Sequence, residues 1–208
     1  MPTAKSEQLQ PNETARVEAF SDGVFAVAIT LLIIDLHVPP RTPHGGLGAA
    51  LLDLWPSYLA FVSSFLTIGV MWLNHHRLYT LIVRKDDGLI ALNLLLLMGI
   101  SWIPFPTGLL SEHLQGPVSD QKAAALMFAG SFFLIALVFN IMWRYAVAMK
   151  AVNDSVNAKA ITRQYSVGPI MYALLVGVAF FSGKWTLILA VAYAVYFALP
   201  PALWRRRT

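Results

Sequence analysis

The sequence predicts an all-α integral membrane protein, built as a single bundle of six transmembrane helices. Of its 208 residues, 57% are hydrophobic and 12% are charged, whereas charged residues make up about 25% of an ordinary soluble protein. The mean hydropathy of +0.62 is correspondingly high. The apolar residues form six segments separated by Gly, Pro and charged residues, and a helix of about 20 apolar residues is long enough to cross a bilayer.

Local signals place the ends of the first two predicted spans. Asn12 can cap the first helix, and Pro39 and Pro40 end it. A loop rich in Gly and Pro follows, and Pro56 suits the first turn of the second helix. The six predicted spans form one domain over 1–208 and cover residues 13–38, 55–80, 88–110, 122–150, 166–182 and 184–204.

Prolines and charged residues mark the remaining boundaries. Pro104 and Pro106 predict a kink or break near the end of the third span. We predict a polar helical connector over residues 150–164, between the fourth and fifth spans, and a tight link over 182–184 before the sixth. The sixth span is expected to stop at Arg205, Arg206 and Arg207.

The distribution of positive charge predicts the orientation of the chain. With six spans both termini lie on one side of the membrane, and 12 of the 15 Lys and Arg residues fall on that side. Positive residues concentrate in cytoplasmic loops, so we expect both termini in the cytoplasm. The net charge of +4 and the pI near 9.5 come from residues that flank the spans, without the interleaved aromatic residues of a nucleic-acid site. The expected partner is therefore the lipid bilayer, and no nucleic acid.

The sequence carries no motif typical of an enzyme, a metal centre or a cofactor site. It has no cysteine, which excludes disulfides and thiolate ligands. His75 and His76 are neighbours that point about 100° apart on a helix, so they cannot readily grip one ion, and no His-x-x-x-His pattern completes a site. The Thr-Val-Gly-Tyr-Gly filter is also absent. We expect no enzymatic activity and no cofactor.

One face of the first span is almost entirely apolar. Its members lie within about 60° of Val27 on a helix of 3.6 residues per turn, and Thr30 is the one polar residue among them. Such a stripe is either a face for lipid or helix packing, or a pore wall in which branched aliphatic side chains constrict the path of an ion. Its members are Phe20, Gly23, Val27, Thr30, Leu31, Ile34 and Val38.

A polar cluster lies at the entry of the same helix. The apolar run over 24–34 is about 16 Å long, too short to cross a bilayer, so Ser21 and Asp22 are expected within the membrane zone. A carboxylate at that depth needs partners, and Asp22 points away from Val27. It either forms a buried network or is held by the helix dipole and water. The candidate partners in a network are Arg16, Trp72, His75, His76 and Asn93.

Two short motifs carry a family resemblance. An Arg-x-x-x-Phe-Ser-Asp motif from Arg16 to Asp22 opens the first span, and a Trp-x-x-His-His motif from Trp72 to His76 follows in the second. Together they resemble the transmembrane protein 175 potassium channel family, and most of all its bacterial branch. The resemblance implies a potassium-permeable cation channel without a conventional filter, in the inner (cell) membrane of a bacterium. It also implies a homotetramer around a central pore, since bacterial members carry one six-helix repeat per chain.

The resemblance implies roles for residues of the first span. The constriction of the family corresponds here to Val27, and the further pore positions correspond to Leu31 and Ile34. Thr30 matches a threonine proposed to contribute to selectivity, so a potassium ion is expected near Val27, Thr30 and Leu31. Valine at 27 is a departure from the usual isoleucine or leucine, and its shorter side chain widens or shifts the narrowest point. The residues expected to brace the helices around the pore are Arg16, Phe20, Ser21 and Asp22.

Two other functions remain open on the sequence. A proton-coupled membrane transporter would relay protons between Asp22 and His75 or His76, because histidine titrates near neutral pH. A non-transporting scaffold or membrane chaperone would produce no ion flux and would be a monomer.

Overall fold

The structure is a computed structural model that describes residues 12–37, 39, 46–84 and 86–198. Nearly all of the described residues are helical, and extended pairing among them is limited to a bridge between Ile82 and Val152. A 3-10 helix (Leu32–Asp35) continues the first α-helix. The α-helices are α1 (Asn12–Leu31), α2 (Gly46–Asp53), α3 (Trp55–Leu81), α4 (Asp87–Trp102), α5 (Pro104–His113), α6 (Val118–Ala148), α7 (Ala158–Ala179) and α8 (Gly183–Ala198).

Four helical segments of the described chain are long and apolar enough to cross a membrane. They overlap the first four predicted spans, and they make the chain an integral membrane protein. α8 is apolar but has 16 residues, and α7, with 22 residues, is not among the four. The four segments are Ala15–Asp35, Trp55–Leu81, Asp87–His113 and Val118–Ala148.

Two boundaries differ from those expected. The short helix α2 lies in the predicted Gly- and Pro-rich loop, and α7 begins at Ala158, inside the predicted connector. The earlier start of α7 has a local cause, because the Asn157 side-chain carbonyl accepts a hydrogen bond from the Ala160 backbone N–H (3.1 Å) and caps the helix. Other predicted features lie outside the described residues, namely the span ends at Val38 and Trp204 and the terminal Arg205, Arg206 and Arg207.

The third apolar segment is broken at the point that its prolines predict. α4 ends at Trp102 and α5 begins at Pro104, since proline has no backbone N–H to continue the helical ladder. After the break, α5 packs on α3. The hydroxyl oxygens of Ser64 and Thr107 lie 2.8 Å apart in this buried contact. Because the Thr107 hydroxyl donates to the Ile103 backbone carbonyl, Ser64 is the donor between the two helices.

One face of α1 packs into the bundle. Ser21, Phe25, Ala28 and Leu32 are fully buried, and their spacings of three and four residues mark a single helix face. This face contacts α3, α4 and α5. The opposite face of α1 is therefore left exposed on the single chain.

The turn between α3 and α4 is held by the C-terminal end of α6. Asp86 caps α4, because its carboxylate accepts a hydrogen bond from the Leu89 backbone N–H (2.9 Å). The Tyr145 hydroxyl of α6 donates to the other carboxylate oxygen of Asp86 (2.6 Å). These two hydrogen bonds, chiefly the one from Tyr145, hold the pKa of Asp86 below its usual value.

We expect Tyr145→Phe to reduce stability at neutral pH and to do so less in acid. A carboxylate whose pKa is lower in the folded state stabilises the fold above its unfolded pKa, and it loses that contribution as the pH falls through the folded pKa. The difference in thermal midpoint between wild type and variant, measured in detergent, should therefore shrink below about pH 4. Tyr58→Phe is the control, since Tyr58 is exposed on α3. A difference that is equal at every pH would contradict the role of Asp86.

Candidate functional site

The exposed face of α1 carries the aliphatic residues that the sequence singled out. Val27 is 57% exposed, Leu31 is 39% exposed and Ile34, in the 3-10 helix, is 64% exposed. The described chain leaves all three partly uncovered, with Ser101 of α4 beside Val27. Large apolar side chains exposed in a row indicate lipid contact, contact with another protein chain, or a pore wall. We refer to these three residues and Thr30 as the aliphatic face.

Thr30 is the polar member of the aliphatic face. Its hydroxyl donates a hydrogen bond to the backbone carbonyl oxygen of Val27 (2.8 Å). The hydroxyl hydrogen is thus directed at the helix, and the oxygen lone pairs remain open towards the exposed side. An oxygen in this state can accept a hydrogen bond from water or contact a cation.

Two pairs of side chains join α1 to α3 like rungs. The Trp72 indole N–H donates to the Asp22 carboxylate (2.8 Å), and His76 Nδ1 lies 2.6 Å from the Glu18 carboxylate. On α1, Glu18 lies four residues before Asp22, and on α3, His76 lies four residues after Trp72. Because the two helices are antiparallel, one helical turn along each of them brings the second pair face to face. The Trp72 and His76 rings also stack, with centroids 6.3 Å apart. We call these four residues the α1–α3 ladder.

A second set of polar groups lies deeper, behind the ladder. His75 Nε2 donates to the Asn93 side-chain carbonyl (2.9 Å), the Asn93 amide donates to the Ser21 hydroxyl (3.1 Å), and that hydroxyl donates to the Val17 backbone carbonyl (2.8 Å). The three side chains are fully buried. We call these three hydrogen-bonded side chains the buried chain. They link α1 to both α3 and α4.

The directions of these hydrogen bonds determine which ring nitrogen of His75 carries the proton. Because the Asn93 amide is used on Ser21, its carbonyl oxygen faces His75, so the histidine proton is on Nε2. Nδ1 is buried without a hydrogen-bond partner in the described chain, and the ring lies between those of Phe25 and Tyr79, at 5.4 and 4.6 Å. A second proton on Nδ1 would be a buried donor with no acceptor, which is costly. The described chain thus offers His75 an acceptor for a proton on Nε2 and none for a second proton.

The far end of α1 is held by close packing. Asp35, at the end of the 3-10 helix, lies so near Gly108 of α5 that a Cβ added there would be 2.8 Å from the Asp35 carboxylate carbon. Only glycine permits this approach without a shift. α1 is thus held at one end by polar contacts and at the other by packing, and the aliphatic face lies between them.

Two members of the predicted network lie outside the hydrogen-bonded contacts of the described chain. Phe20 is 57% exposed, on the same side of α1 as Val27, and takes no part in the polar contacts. Arg16 is also exposed, and within the described chain no carboxylate pairs with its guanidinium. Of the predicted members, the structure brings together Ser21, Asp22, Trp72, His75, His76 and Asn93, in two separate sets.

Glu18 is the residue that the sequence analysis missed as a partner. It lies four residues before Asp22, and His76 lies four residues after Trp72. That matched spacing on two antiparallel helices is the signal that predicts a second rung once the first is known.

No direct hydrogen bond joins Asp22 to either histidine in the described chain. Asp22 is hydrogen-bonded to Trp72, His76 to Glu18 and His75 to Asn93. No group of three or more His, Asp or Glu side chains in the described chain is placed to hold a metal ion. The polar residues behind α1 join helices to one another.

Comparisons with known proteins match this arrangement. Residues 16–104 match the family model described as the endosomal/lysosomal potassium channel TMEM175, a region that includes most of α1, all of α3 and α4, and both motifs. A potassium channel of Chamaesiphon minutus is 45% identical over 93% of this chain and 97% of that protein. The chain belongs to the TMEM175 family. These matches confirm the predicted family membership. The family is one of ion channels and not of enzymes.

Further TMEM175 relatives agree over most of the chain. A potassium channel of Streptomyces collinus is 43% identical over 89% of this chain and 92% of that protein. The crystal structure of a lysosomal potassium-selective channel TMEM175 homolog from Chamaesiphon minutus superposes with a TM-score of 0.82 at 44% identity, covering 89% of this chain and 96% of that one.

A vertebrate member of the TMEM175 family is similar over a shorter region. The endosomal/lysosomal proton channel TMEM175 of Gallus gallus is 37% identical over 66% of this chain, but only 29% of that longer protein is covered. The two bacterial relatives are thus named potassium channels, whereas the Gallus gallus relative is named a proton channel.

We expect Trp72→Phe to lower the free energy of unfolding by about 0.5–1.5 kcal/mol, the usual net contribution of one hydrogen bond. Phenylalanine keeps the aromatic ring but leaves the Asp22 carboxylate without the indole N–H. The measurement is unfolding in mixed micelles. Trp185→Phe is the matched control, because Trp185 is 65% exposed on α8; equal losses from both variants would argue against the ladder.

Proposed function

We propose that this chain forms a potassium-permeable cation channel in which potassium moves passively down its gradient. The observation that carries the proposal is the exposed aliphatic face of α1, in a chain whose relatives of similar length are named potassium channels. A pore helix has to keep one face free of its own subunit. The face left free is the one that carries Val27, Leu31 and Ile34.

The channel is a homotetramer in which four copies of α1 surround a central pore. A single chain cannot enclose a path with one exposed helix face, whereas cyclic symmetry brings identical faces together around an axis. We place α7 and α8 in the membrane as the fifth and sixth spans, with both termini in the cytoplasm of a bacterium. The ladder and the buried chain then lie towards the cytoplasmic end of the pore.

Aliphatic rings around the axis form the narrowest part of the pore. Branched side chains at Val27, Leu31 and Ile34 exclude ordinary hydration, and constrictions of this kind gate by dewetting. Potassium passes near Val27, Thr30 and Leu31, with the open lone pairs of Thr30 as the one side-chain oxygen at that level. The arrangement favours weak selectivity, because one oxygen per subunit replaces little of the hydration shell.

Ion flux into liposomes tests the proposal. Protein reconstituted with potassium inside should produce a potassium diffusion potential without any co-substrate, and exchange for sodium and caesium ranks the cations. A pH gradient in place of the potassium gradient tests the proton conduction suggested by the name of the vertebrate relatives. No potassium flux, or flux that saturates and requires a second substrate, would overturn the proposal. Cross-linking in native membranes should give species up to four chains.

A further inference from the structure

A cavity of about 480 Å³ lies between α3, α6, α7 and α8, behind the buried face of α1. Its size falls within the range of about 300–1,000 Å³ found for sites of organic ligands. The wall is mainly apolar and aromatic. α3 packs on α8 and α7 packs on α6, whereas the backbones of α3 and α7 stay apart over most of their length. The cavity lies in the space between them, and the Thr67 and Tyr172 side chains meet across it at one end.

The cavity runs lengthwise along α3, one of the segments long and apolar enough to cross a membrane. On α3 its lining extends from Thr67 to Arg77, and the ten steps between these residues correspond to about 15 Å of helix. The hydrocarbon core of a bilayer is about 30 Å thick, so one leaflet matches this length. On α7 the lining extends from Gln164 to Tyr172, and Leu73 and Val167 are both partly exposed at the gap.

The two ends of the cavity differ in charge. The lining is mainly apolar, with side chains such as Phe25, Leu96 and Ile135, and the uncharged Thr67 and Tyr172 lie at one end. Arg77 stands at the other end, where it is exposed and has no carboxylate partner in the described chain. A long apolar slot with one unpaired cation at the membrane surface is complementary to an acyl chain that carries an anionic headgroup.

We propose that this cavity binds one acyl chain of an anionic phospholipid, with the lipid phosphate at Arg77. Arginine presents a planar set of donors that suits phosphate oxygens. The lipid enters sideways through the gap between α3 and α7, from the leaflet nearest to Arg77. Its chain reaches Phe25, on the buried face of α1, so its presence supports the rear of that helix; the effect on conduction, unlike the binding, rests on the proposed function.

Photo-cross-linking with a lipid probe tests the binding. The full chain is reconstituted in phosphatidylcholine vesicles that contain a minor fraction of phosphatidylglycerol with a diazirine in one acyl chain, and the labelled peptides are identified by mass spectrometry. We expect labelling of the cavity residues of α3 and α7, and weak labelling by phosphatidylcholine with the same diazirine. Because the assay records binding alone, it succeeds or fails independently of ion flux.

Two pairs of variants make the outcome specific. Arg77→Gln should lower the labelling about fivefold by loss of a charge-assisted contact, while Arg84→Gln, on an exposed arginine outside the cavity lining, should leave it unchanged. Val70→Phe should block the cavity, while Val62→Phe, at an exposed position on the same helix, should not. Equal labelling within either pair, equal labelling by the two lipids, or cross-links between chain copies at this site would overturn the proposal.

Discussion

Leu31→Ser should raise potassium flux through the reconstituted protein by roughly tenfold, which corresponds to about 1.4 kcal/mol off the barrier. Leu31 is on the aliphatic face of α1 and is partly exposed on the single chain. In a tetramer four leucines meet at one level of the pore, and an apolar constriction resists the entry of water and of a hydrated ion. Four hydroxyls at the same level lower that resistance. The measurement is liposome flux at a fixed potassium gradient, and Val27→Ser should act in the same direction.

The matched control is Leu134→Ser on α6. Leu134 is 59% exposed and the chemical change is the same, but the position is away from α1. Both variants should fold, because neither removes a buried side chain. Unchanged flux in Leu31→Ser, or an equal increase in Leu134→Ser, would show that the aliphatic face does not line the pore.

Asn93→Leu should lower the free energy of unfolding by about 1–3 kcal/mol, the penalty for a buried polar group left without a partner. Leucine is similar in size but offers no carbonyl to His75 Nε2–H and no amide to Ser21, and both of these groups are fully buried. The contact that ties α1 to α3 and α4 is thereby lost. Unfolding in mixed micelles measures the change, and Asn74→Leu, at a half-buried position of α3, is the control.

A double-mutant cycle separates the hydrogen bond from general packing. When both partners are replaced by apolar groups, as in His75→Phe with Asn93→Leu, no polar group is left unpaired on that side. The double variant should therefore lose clearly less stability than the two single losses together. Strict additivity would contradict the assignment of the buried chain as a connected unit.

The membrane character and the two faces of α1 could be predicted from the sequence. Composition and segment length indicate membrane helices without reference to any contact, and the 3.6-residue period separates Val27, Leu31 and Ile34 from Ser21 and Phe25 on one helix. The exposed positions in the structure agree with that separation. The two short motifs also predicted the family, because they combine specific residue types with fixed spacing.

The partners of the polar residues could not be predicted in the same way. The sequence offered Asp22 several partners, and the structure selects Trp72, while His76 binds the unexpected Glu18 and His75 binds Asn93. These choices depend on how far α3 and α4 are shifted and rotated relative to α1. No periodicity within one helix contains that information.

What the sequence alone determined is therefore local: which stretches enter the membrane, which face of α1 is aliphatic, and which family the motifs resemble. The tertiary structure decided everything that requires two helices at a known offset. It divided one polar cluster into the α1–α3 ladder and the buried chain, and it opened the cavity between α3 and α7. The physical reason is that hydrophobic burial depends on the period of a single helix, whereas hydrogen-bond pairing and the space between helices depend on the packing of several.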